Sequence, residues 1–503
     1  MPDARRTAPT RLTLASRQIP FESALAPVLH FIGIVLCCLA AIMLVPAMVD
    51  LANGHRDYRT FLAAAGITGF VGVSLTCAFS GRITRIGRRD GVLAVLLTWA
   101  GAVAFGALPF LLAEQPLSLT DAVFESASGL TATGSTLHVG LDQTPQGILM
   151  WRFLLSWMGG FGLVTFAVLI LPYLRVGGLQ LFMIDLSARP GKFLPRTAEV
   201  VARIAQVYIL LTVACAISYG AAGMSTFDAV GHAMATVATA GVSSHDAGLG
   251  YFQSPAIEWI ATLFMLLSAM PFVLYIYILR GQAAPLLSDS QVRLFLSLIL
   301  AAVTLLTLWR LRGDAATVEQ AVREAAFNVV SIISTTGFVS HDFHDWGSFA
   351  SLLLLCAMLM GGCAGSTAGG IKMFRLVLLL KMLKVQIQRQ ILPNGVFHSS
   401  YNGQPIPVEL LAGVVAFTFA YLVTFSLLAM GLALTGLHLD ESLGAAAAAL
   451  GSVGLGLGER IGPCCTFGSL SDTATWLLTV GMIVGRLEIL LFLLPFTRPF
   501  WRA

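Results

Sequence analysis

Four acidic residues along the chain are each followed, thirteen positions later, by a glycine. The pairs are Asp121 and Gly134, Asp228 and Gly241, Glu324 and Gly337, and Glu441 and Gly454. The intervening segments are small, apolar and of helix length. Glycine adopts backbone dihedrals that other residues resist, so a strand at this point can turn its carbonyl oxygens inward. Four such strands around one axis predict a ring of carbonyl oxygens that replaces the hydration shell of a cation.

The candidate ring consists of each glycine and the residue before it. These residues are Thr133, Gly134, Ala240, Gly241, Thr336, Gly337, Val453 and Gly454. Nearby hydroxyls are expected to add oxygen atoms, and they belong to Thr131, Thr133, Thr239, Ser334, Thr335, Thr336 and Ser452. The helix before each glycine should point its partly negative end at the centre, with the acid at its opposite end. One such segment alone is more simply interpreted as an ordinary packing helix, but four copies in register argue against that interpretation.

Composition places these segments in a membrane. Hydrophobic residues make up 57% of the 503-residue chain and charged residues only 11%, against roughly 25% charge in soluble domains. Ten apolar runs are long enough to span a bilayer, namely 27–49, 60–80, 91–113, 147–172, 200–223, 255–280, 291–311, 348–382, 408–435 and 473–495. The acid-to-glycine segments fall between runs three and four, five and six, seven and eight, and nine and ten. The sequence therefore predicts an all-α polytopic membrane protein, with an N-terminal hairpin and four parallel helix–pore-loop–helix repeats around one pseudo-fourfold pore.

Six regions follow from this plan. They are a cytoplasmic N-terminus (1–26), an N-terminal transmembrane hairpin (27–90), and pore repeats one (91–199), two (200–290), three with a broken inner helix (291–407) and four (408–503). Basic residues collect after runs two, four, six and eight and at the chain end, as in Arg82, Arg85, Arg88, Arg89, Arg175, Arg189, Lys192, Arg196, Arg280, Arg293, Lys372, Arg375, Lys381, Lys384, Arg389, Arg498 and Arg502. The positive-inside rule makes that face cytoplasmic, with both termini on it and the chain in the cell inner membrane. Arg310 and Arg312 violate the rule, although Asp314 lies beside them.

A glycine-rich break in run eight and a charge in run ten fall at similar depth. Gly361 lies thirteen residues after Ser348, and Arg486 lies fourteen after Asp472, which is about 20 Å in each case at the helical rise. Gly159–Gly160 and Pro271 should interrupt the inner helices of repeats one and two at the same level. The predicted gate consists of Gly361, Gly362, Gly365, Gly369, Gly370, Lys372 and Arg486. Alternatively, Arg486 only clamps neighbouring helices; Glu488, on the same helix, should face away from it.

A second register lies just beyond the glycines. Histidines stand four positions after three of them, and acids stand five positions after three of them. The predicted outer vestibule is thus His138, His245, Asp246, His341, Asp342 and Glu459. The acids would concentrate cations. Exposed imidazoles titrate near ~6.5, so external acidification would oppose that attraction, unless each histidine pairs with a neighbouring carboxylate.

Three stretches of sequence carry a family resemblance. The pore-loop sequences, the block GGCAGSTAGGIKMFR at 361–375 and GRLEILLFLLP at 485–495 resemble the TrkH branch of the Trk/Ktr/HKT potassium transporter superfamily, over nearly the whole chain. The resemblance implies potassium as the transported ion, a selectivity filter at the ring, and no cofactor in this chain. It also implies a homodimer in the lipid bilayer with a cytoplasmic TrkA-like nucleotide-binding regulatory ring as partner. One departure is Leu455, where the resemblance leads us to expect a proline after the fourth glycine.

Two other classes of protein are considered. An ion-coupled secondary transporter of potassium or another monovalent cation (Na, NH4) would also have broken helices, but such transporters more often have inverted repeats, whereas these repeats are parallel. An enzyme would need a nucleophile and a base at matching depth, and the lower halves of the inner helices hold no histidine and no converging carboxylate pair. We therefore expect no catalytic residues and no nucleic-acid partner.

Overall fold

The computed structural model describes residues 21–80, 88–169, 197–312, 317–397, 399–462 and 465–502. Several residues used in the orientation argument lie outside these ranges: most of the N-terminal segment, Arg82, Arg85, Arg175, Arg189, Lys192, Arg196 and Asp314. The structure therefore adds nothing about their positions.

The described residues form twenty-one α-helices and one short β-hairpin. The helices of the first half are α1 (Phe21–Ile42), α2 (Leu44–Ala52), α3 (Tyr58–Ala78), α4 (Arg88–Gly106), α5 (Leu108–Leu112), α6 (Leu119–Leu130), α7 (Gln146–Leu169), α8 (Thr197–Ala221), α9 (Thr226–Val237), α10 (Pro255–Ser268), α11 (Phe272–Ile278) and α12 (Ala284–Ser288). Those of the second half are α13 (Ser290–Arg312), α14 (Val318–Ile333), α15 (Ser348–Met360), α16 (Met373–Ile391), α17 (Val408–Leu434), α18 (Leu439–Gly451), α19 (Asp472–Arg486), α20 (Ile489–Leu493) and α21 (Arg498–Arg502).

Seven helical stretches in the described ranges are long and apolar enough to cross a membrane. They are Leu25–Ala52, Tyr58–Ala78, Arg89–Leu112, Gln146–Thr165, Glu199–Ala221, Ser290–Arg312 and Val408–Leu434. Two more predicted spans are sharply bent pairs, α10 with α11 at 98° and α19 continuing into α20 at 110°. The remaining predicted span is divided into α15 and α16 by residues 361–372, which we call the inner loop. The all-α, many-span architecture is therefore confirmed. The bend between α10 and α11 lies at Pro271, where the sequence predicts an interruption, whereas the bend after α19 was not predicted.

The N-terminal hairpin packs against the first repeat. Its helices α1 and α3 cross closely, because a Cβ on Gly33 would lie 2.8 Å from the carbonyl oxygen of Gly72; small residues at such crossings allow backbones to approach. The Asp50 carboxylate accepts a hydrogen bond of 2.7 Å from Gly147 N–H. It thereby satisfies a free backbone donor in the first turn of α7, which fixes where the inner helix of repeat one begins.

Four short helices precede the four glycines, namely α6, α9, α14 and α18. Side-chain caps define their starts: Ser118 accepts from Asp121 N–H, Ser225 from Asp228 N–H, and His438 forms a capping box with Glu441. The third helix differs from the prediction. Because α14 begins at Val318 after a Thr317 cap, Glu324 lies in its second turn, and the first-turn acid is Glu319.

The inner helices are interrupted at one register, but not in repeat one. Pro271 precedes α11, Lys372 precedes α16 and Glu488 precedes α20, each as the N-cap residue. Lys372 and Glu488 share nearly the same dihedrals, φ 68° with ψ 111° and φ 70° with ψ 117°. The expected break at Gly159–Gly160 was wrong, since α7 runs through both glycines. There the missing side chains allow close packing instead: a Cβ on Gly159 would lie 1.9 Å from the Leu130 carbonyl oxygen.

A β-hairpin follows α16. Its strands β1 (Ser400–Tyr401) and β2 (Gln404–Pro405) pair antiparallel, Ser400 opposite Pro405. The turn residues Asn402 and Gly403 both have positive φ, as a two-residue hairpin turn of type I′ requires. Asn402 holds the segment before α13, since its side chain bonds Ser290 and the Asp289 carboxylate.

Candidate functional site

Each short helix ends in the same turn. The residue two positions before each glycine has a left-handed backbone: Ala132 (φ 49°), Thr239 (φ 52°), Thr335 (φ 58°) and Ser452 (φ 56°). The next N–H then bonds a carbonyl five residues earlier, at 2.9 Å in all four repeats: Thr133 to Ser128, Ala240 to Ala235, Thr336 to Ser331 and Val453 to Ala448. Non-glycine residues persist in this conformation only where the surroundings hold them. Four identical turns therefore show that the four segments are built alike.

The four glycines interlock in a closed ring. A Cβ added to each glycine would strike the carbonyl oxygen of the residue before the next glycine: Gly134 meets Ala240 at 1.8 Å, Gly241 meets Thr336 at 2.2 Å, Gly337 meets Val453 at 1.8 Å, and Gly454 meets Thr133 at 2.2 Å. The order runs one, two, three, four and back to one. All four glycines also have positive φ, between 61° and 87°. The structure thus brings all eight candidate ring residues together, and no side chain fits at any of the four glycines.

The neighbouring hydroxyls are hydrogen-bonded within the protein and brace the ring. Thr131 Oγ1 and Thr133 Oγ1 lie 2.8 Å apart, and Ser334 Oγ and Thr336 Oγ1 lie 2.7 Å apart. Thr239 Oγ1 donates to the Ala238 carbonyl. Each of these five hydroxyls is hydrogen-bonded within the protein, and the expectation that they add cation ligands stays a prediction, because a hydroxyl that donates its proton keeps lone pairs on its oxygen.

Two serines that the sequence analysis missed hold the strands beyond the glycines. Ser128 Oγ donates to the Ser135 carbonyl at 2.6 Å, and Ser331 Oγ donates to the Phe338 carbonyl at 2.7 Å. The equivalent residues in repeats two and four are alanines. Their common position, six residues before the glycine, is a signal that a register comparison of the four repeats would have found.

Polar side chains within the short helices also brace repeats one and two. Glu125 Oε1 accepts from Thr136 Oγ1 at 2.6 Å, and His232 Nε2 lies 2.9 Å from Ser243 Oγ. Arg152 of α7 completes this group: it pairs with Glu125 at 3.2 Å and donates to the Ser243 carbonyl. These buried charges were also missed, although an arginine within an apolar span is itself a signal of function.

A cavity of about 80 Å³ lies beside the ring, on the side of the residues that follow the glycines. All four glycines reach its wall, together with Arg152, His245 and Asp246. Of the six predicted vestibule residues only His245 and Asp246 line it. The cavity beside the ring is therefore less rich in histidine than the sequence predicts.

His245 and Asp246 join the loops of repeats one and two. His245 Nδ1 lies 2.5 Å from Asp142 Oδ1, and its ring stacks on Tyr251 with centroids 3.6 Å apart. The hydrogen bond from His245 lowers the pKa of the Asp142 carboxyl. A second hydrogen bond joins the same two loops: the Asp246 carboxylate of repeat two accepts from the backbone N–H of Leu141 of repeat one at 3.0 Å. His245 is therefore paired with a carboxylate, which is the alternative left open for the histidines.

The other vestibule residues have separate surroundings. His138 is half-buried with Nε2 2.8 Å from Thr144 Oγ1, and burial lowers the pKa of its imidazole. The His341 ring lies 3.6 Å from Glu324 and 3.8 Å from Glu258. Asp342 Oδ1 accepts a hydrogen bond from the backbone N–H of His344 in the same loop, and Glu459 is exposed. The three histidines thus do not form a set of free imidazoles around one opening.

The inner loop lies directly against the ring strands. Gly369 N–H donates to Thr335 Oγ1 at 2.7 Å, and a Cβ on Gly369 would lie 2.4 Å from the Gly451 carbonyl oxygen. Thr367 Oγ1 donates to the carbonyl of Val237, in the last turn of α9. The loop is therefore lodged against the ends of three of the four short helices.

The loop is also tied to the break in repeat two and to α13. Cys363 N–H donates to the Ala269 carbonyl, and Phe272 N–H donates to the Gly365 carbonyl, both at 2.9 Å. Gln291 Oε1 accepts from Ala364 N–H at 3.0 Å. Irregular backbone at membrane depth needs such partners when protein surrounds it, and here the loop finds them on both sides.

Arg486 reaches the inner loop from repeat four. Its Nη2 donates to the Thr367 carbonyl at 2.9 Å. The side chain is buried, while Nε and Nη1 have no hydrogen-bond partner among the residues that the structure describes. Helix α15 begins at Ser348 and α19 at Asp472, as the sequence predicts, which accounts for the common depth of Arg486 and the loop.

Beside Arg486 lies the buried ion pair of Arg375 and Glu488, the second such pair after Arg152 with Glu125. Glu488 does not continue a helix, because α19 ends at Arg486. Its carboxylate instead pairs with Arg375 of α16, at 2.5 and 2.7 Å from Nη2. Lys372 Nζ donates to the Ala368 carbonyl at 2.7 Å. The expectation that Glu488 lies on the same helix as Arg486 is thus corrected, and the ion pair joins the two broken inner helices.

Fold and site together define a polytopic α-helical membrane protein in which four short-helix loops meet around one axis. A family model described as cation transport protein, TrkH, matches residues 60–500. The chain belongs to this TrkH family. Because the family consists of transport proteins, the expectation of a transporter and not an enzyme is confirmed.

Individual relatives agree with this assignment. The chain is 40% identical over 480 residues to the Trk system potassium uptake protein TrkI of Halomonas elongata, covering 95% of this chain and 97% of that one. It is 36% identical over 479 residues to TrkH of Escherichia coli K12, covering 94% and 98%. The crystal structure of the potassium transporter TrkH from Vibrio parahaemolyticus superposes with a TM-score of 0.88 at 35% identity, over 96% of this chain and 100% of that one.

Proposed function

We propose that the chain takes up potassium through the ring of four glycine strands. The observation that carries the proposal is the closed cycle in which each glycine abuts the carbonyl oxygen of the next strand. Backbone carbonyls at such close quarters replace the water that a potassium ion loses on entry. The relatives named for potassium uptake at 36% to 40% identity support the same ion.

The short helices favour a cation at the ring centre. Their C-terminal ends carry the partly negative end of the helix dipole, and all four end at the ring. The cavity beside the ring holds Asp246, which would attract cations, whereas the guanidinium of Arg152 is neutralised by Glu125. This electrostatic arrangement favours entry of cations over anions.

The inner loop and Arg486 form the gate in this proposal. The loop, with Gly361, Gly362, Gly365, Gly369, Gly370 and Lys372, lies against the strands of the ring, and Arg486 holds its carbonyl at Thr367. An arginine with two unpaired nitrogens at this depth is costly to keep buried. Its withdrawal together with the loop would open the path inward from the ring.

The cytoplasmic face would receive the regulatory partner. The chain would lie in the cell inner membrane as a homodimer with both termini inside, and a TrkA-like nucleotide-binding ring would dock near α16 and the hairpin. A chain of hydrogen bonds connects that hairpin to the loop. Asn402 Nδ2 donates to Asp289 Oδ2, and Asp289 Oδ1 accepts from Gln291 N–H. Gln291 Oε1 in turn accepts from Ala364 N–H in the loop. Movement of the hairpin would therefore reach the gate.

Ion uptake by potassium-starved cells tests this proposal. Cells that depend on this chain should accumulate potassium and rubidium in preference to sodium and ammonium. Flux through reconstituted protein separates the alternative of ion-coupled transport: a pore passes potassium down its gradient with no pH or sodium gradient, whereas a coupled transporter does not. Equal uptake of all four cations would refute a potassium-selective ring.

A further inference from the structure

One hydrogen bond between the inner loop and the ring has no equivalent among the described residues of the other repeats. Thr335, the left-handed residue of the third strand, accepts from Gly369 N–H at 2.7 Å, and both residues are buried. At the same register repeat one has Ala132, which lacks a hydroxyl, and Thr239 Oγ1 donates to Ala238. Ser452 Oγ in repeat four has no partner within the described residues. Only the third strand is therefore tied to the loop by a side chain at this position.

The third strand lacks a brace that strands one and two have. In repeats one and two, the side chain nine positions before the glycine is hydrogen-bonded to the hydroxyl two positions after the glycine. The pairs are Glu125 with Thr136 and His232 with Ser243. In repeat three these positions are Asn328 and Val339. Valine offers no hydroxyl, and Asn328 Oδ1 has no partner in the part of the chain that the structure describes. The third strand thus lacks one of the contacts that fix strands one and two.

The backbone of Thr335 makes it sensitive to that loss. Threonine is β-branched, and a β-branched residue at positive φ is an outlier that its surroundings must enforce. The next residue, Thr336, supplies the carbonyl oxygen that abuts Gly241. A change in the Thr335 dihedrals would therefore move a carbonyl of the ring itself.

We propose that Thr335 couples the inner loop to the ion ring: a seated loop orders the third strand, and a withdrawn loop frees it. This proposal rests on the proposed function, to which it adds a link between gate and ring. Coupling between two sites is reciprocal. An ion that orders the ring must consequently hold the loop in place, with Thr335 as the positioning residue between them.

Amide hydrogen exchange of the full-length protein in lipid nanodiscs measures this reciprocity without transport. Exchange is compared in potassium chloride and in choline chloride for segments 331–340 and 361–375. In the parent protein potassium should slow exchange several-fold in both segments, including the Gly369 amide that donates the bond. In Thr335→Val potassium should still protect 331–340 but no longer protect 361–375.

Two variants serve as matched controls. Thr335→Ser keeps the hydroxyl and should retain the protection of 361–375. Thr304→Val makes the same substitution on the exposed face of α13, where the hydroxyl bonds the Leu300 carbonyl of its own helix, and it should behave as the parent. If Thr335→Val does not fold, Thr335→Ala makes the same test with a smaller side chain.

The outcomes separate the two proposals. Potassium protection of 361–375 that survives loss of the Thr335 hydroxyl would overturn the coupling and leave the ring intact, as would an equal loss of protection in Thr304→Val. If potassium protects neither segment of the parent protein, the potassium ring fails and the coupling fails with it.

Discussion

Replacing Gly134 by serine tests the ring most directly. The new Cβ would lie 1.8 Å from the Ala240 carbonyl oxygen, so one strand must shift by about 1 Å or more before ordinary contact is restored. The position also has φ 86°, which a side chain disfavours. The carbonyl that must move is one of those we assign to the ion.

The structure sets a scale for the effect. A non-glycine residue at positive φ costs about 1–3 kcal/mol, and an overpacked site typically costs about 1–3 kcal/mol more. The protein can relieve this only by displacing a ring carbonyl. Since about 1.4 kcal/mol corresponds to a tenfold change in an equilibrium, we expect the preference for potassium over sodium to fall about tenfold or more. At Gly241 the added Cβ would lie 2.2 Å from the Thr336 carbonyl oxygen, a milder collision, so Gly241→Ser should reduce the preference for potassium over sodium less.

The assay is competitive uptake of potassium and sodium by potassium-starved cells, normalised to protein in the membrane. Gly140→Ser is the matched control, because Gly140 has φ 83° but nothing lies within 4 Å of its Cβ position. It shares the backbone strain without the collision. We therefore expect Gly140→Ser to retain the parental ion preference.

Two results would refute the reasoning. One is an unchanged potassium-over-sodium ratio in well-expressed serine variants of all four ring glycines. The other is a loss of preference in Gly140→Ser as large as that in Gly134→Ser, since backbone strain in an outer loop would then explain the effect without a carbonyl ring.

The other predictions concern the gate, the entrance and the cytoplasmic face. Arg486→Ala removes a charge-assisted hydrogen bond to the loop, worth about 1.5–3 kcal/mol, so unidirectional potassium flux should rise about tenfold; parental flux in a folded variant would make Arg486 scaffolding only. Because burial lowers the pKa of His138, its imidazole is neutral above about pH 6.5, and His138→Gln should alter uptake only below that pH; a change at pH 7.5 would contradict this. Gln291→Leu leaves Ala364 N–H without its partner and should raise potassium flux several-fold, whereas the control Gln390→Leu, at an exposed position of α16, should not. Deleting 384–404 should abolish co-purification with a nucleotide-binding ring protein, and persistence of the complex would place the contact elsewhere.

The ring could be predicted from the sequence because its chemistry repeats. The acid-to-glycine spacing identified four equivalent segments, and the structure gives each the same left-handed turn, from Ala132 to Ser452. The inner loop was likewise accessible, since its glycines cannot remain helical in the middle of an apolar run. The boundaries of the six predicted regions, the membrane orientation and the roles of the gate residues stay predictions.

What the sequence could not give depends on single contacts between distant residues. Periodicity along α19 predicts that Glu488 faces away from Arg486, but the helix ends there, and Glu488 pairs with Arg375, 113 residues earlier. Gly159–Gly160 has the composition of a helix break, yet α7 uses it for close packing. Composition cannot separate these two uses of glycine, because both exploit the missing side chain and only the neighbour decides.

The ring is closer to twofold than to fourfold symmetry. An added Cβ would lie 1.8 Å from the facing carbonyl oxygen at Gly134 and Gly337, and 2.2 Å from it at Gly241 and Gly454. Repeats one and three, which alternate with two and four around the ring, are also the pair that carry the braces from Ser128 and Ser331. A hydroxyl that donates to the carbonyl just beyond the glycine occupies one of its lone pairs and limits its rotation. In repeats two and four an alanine stands at the brace position, so the corresponding carbonyl lacks this restraint; in repeat four the carbonyl one residue earlier, that of Gly454, instead accepts from Ser135 Oγ at 3.1 Å. Strands one and three are thus braced at this carbonyl by their own short helices, and strand three is also held by the inner loop through Thr335, so the four strands are built alike but restrained unequally.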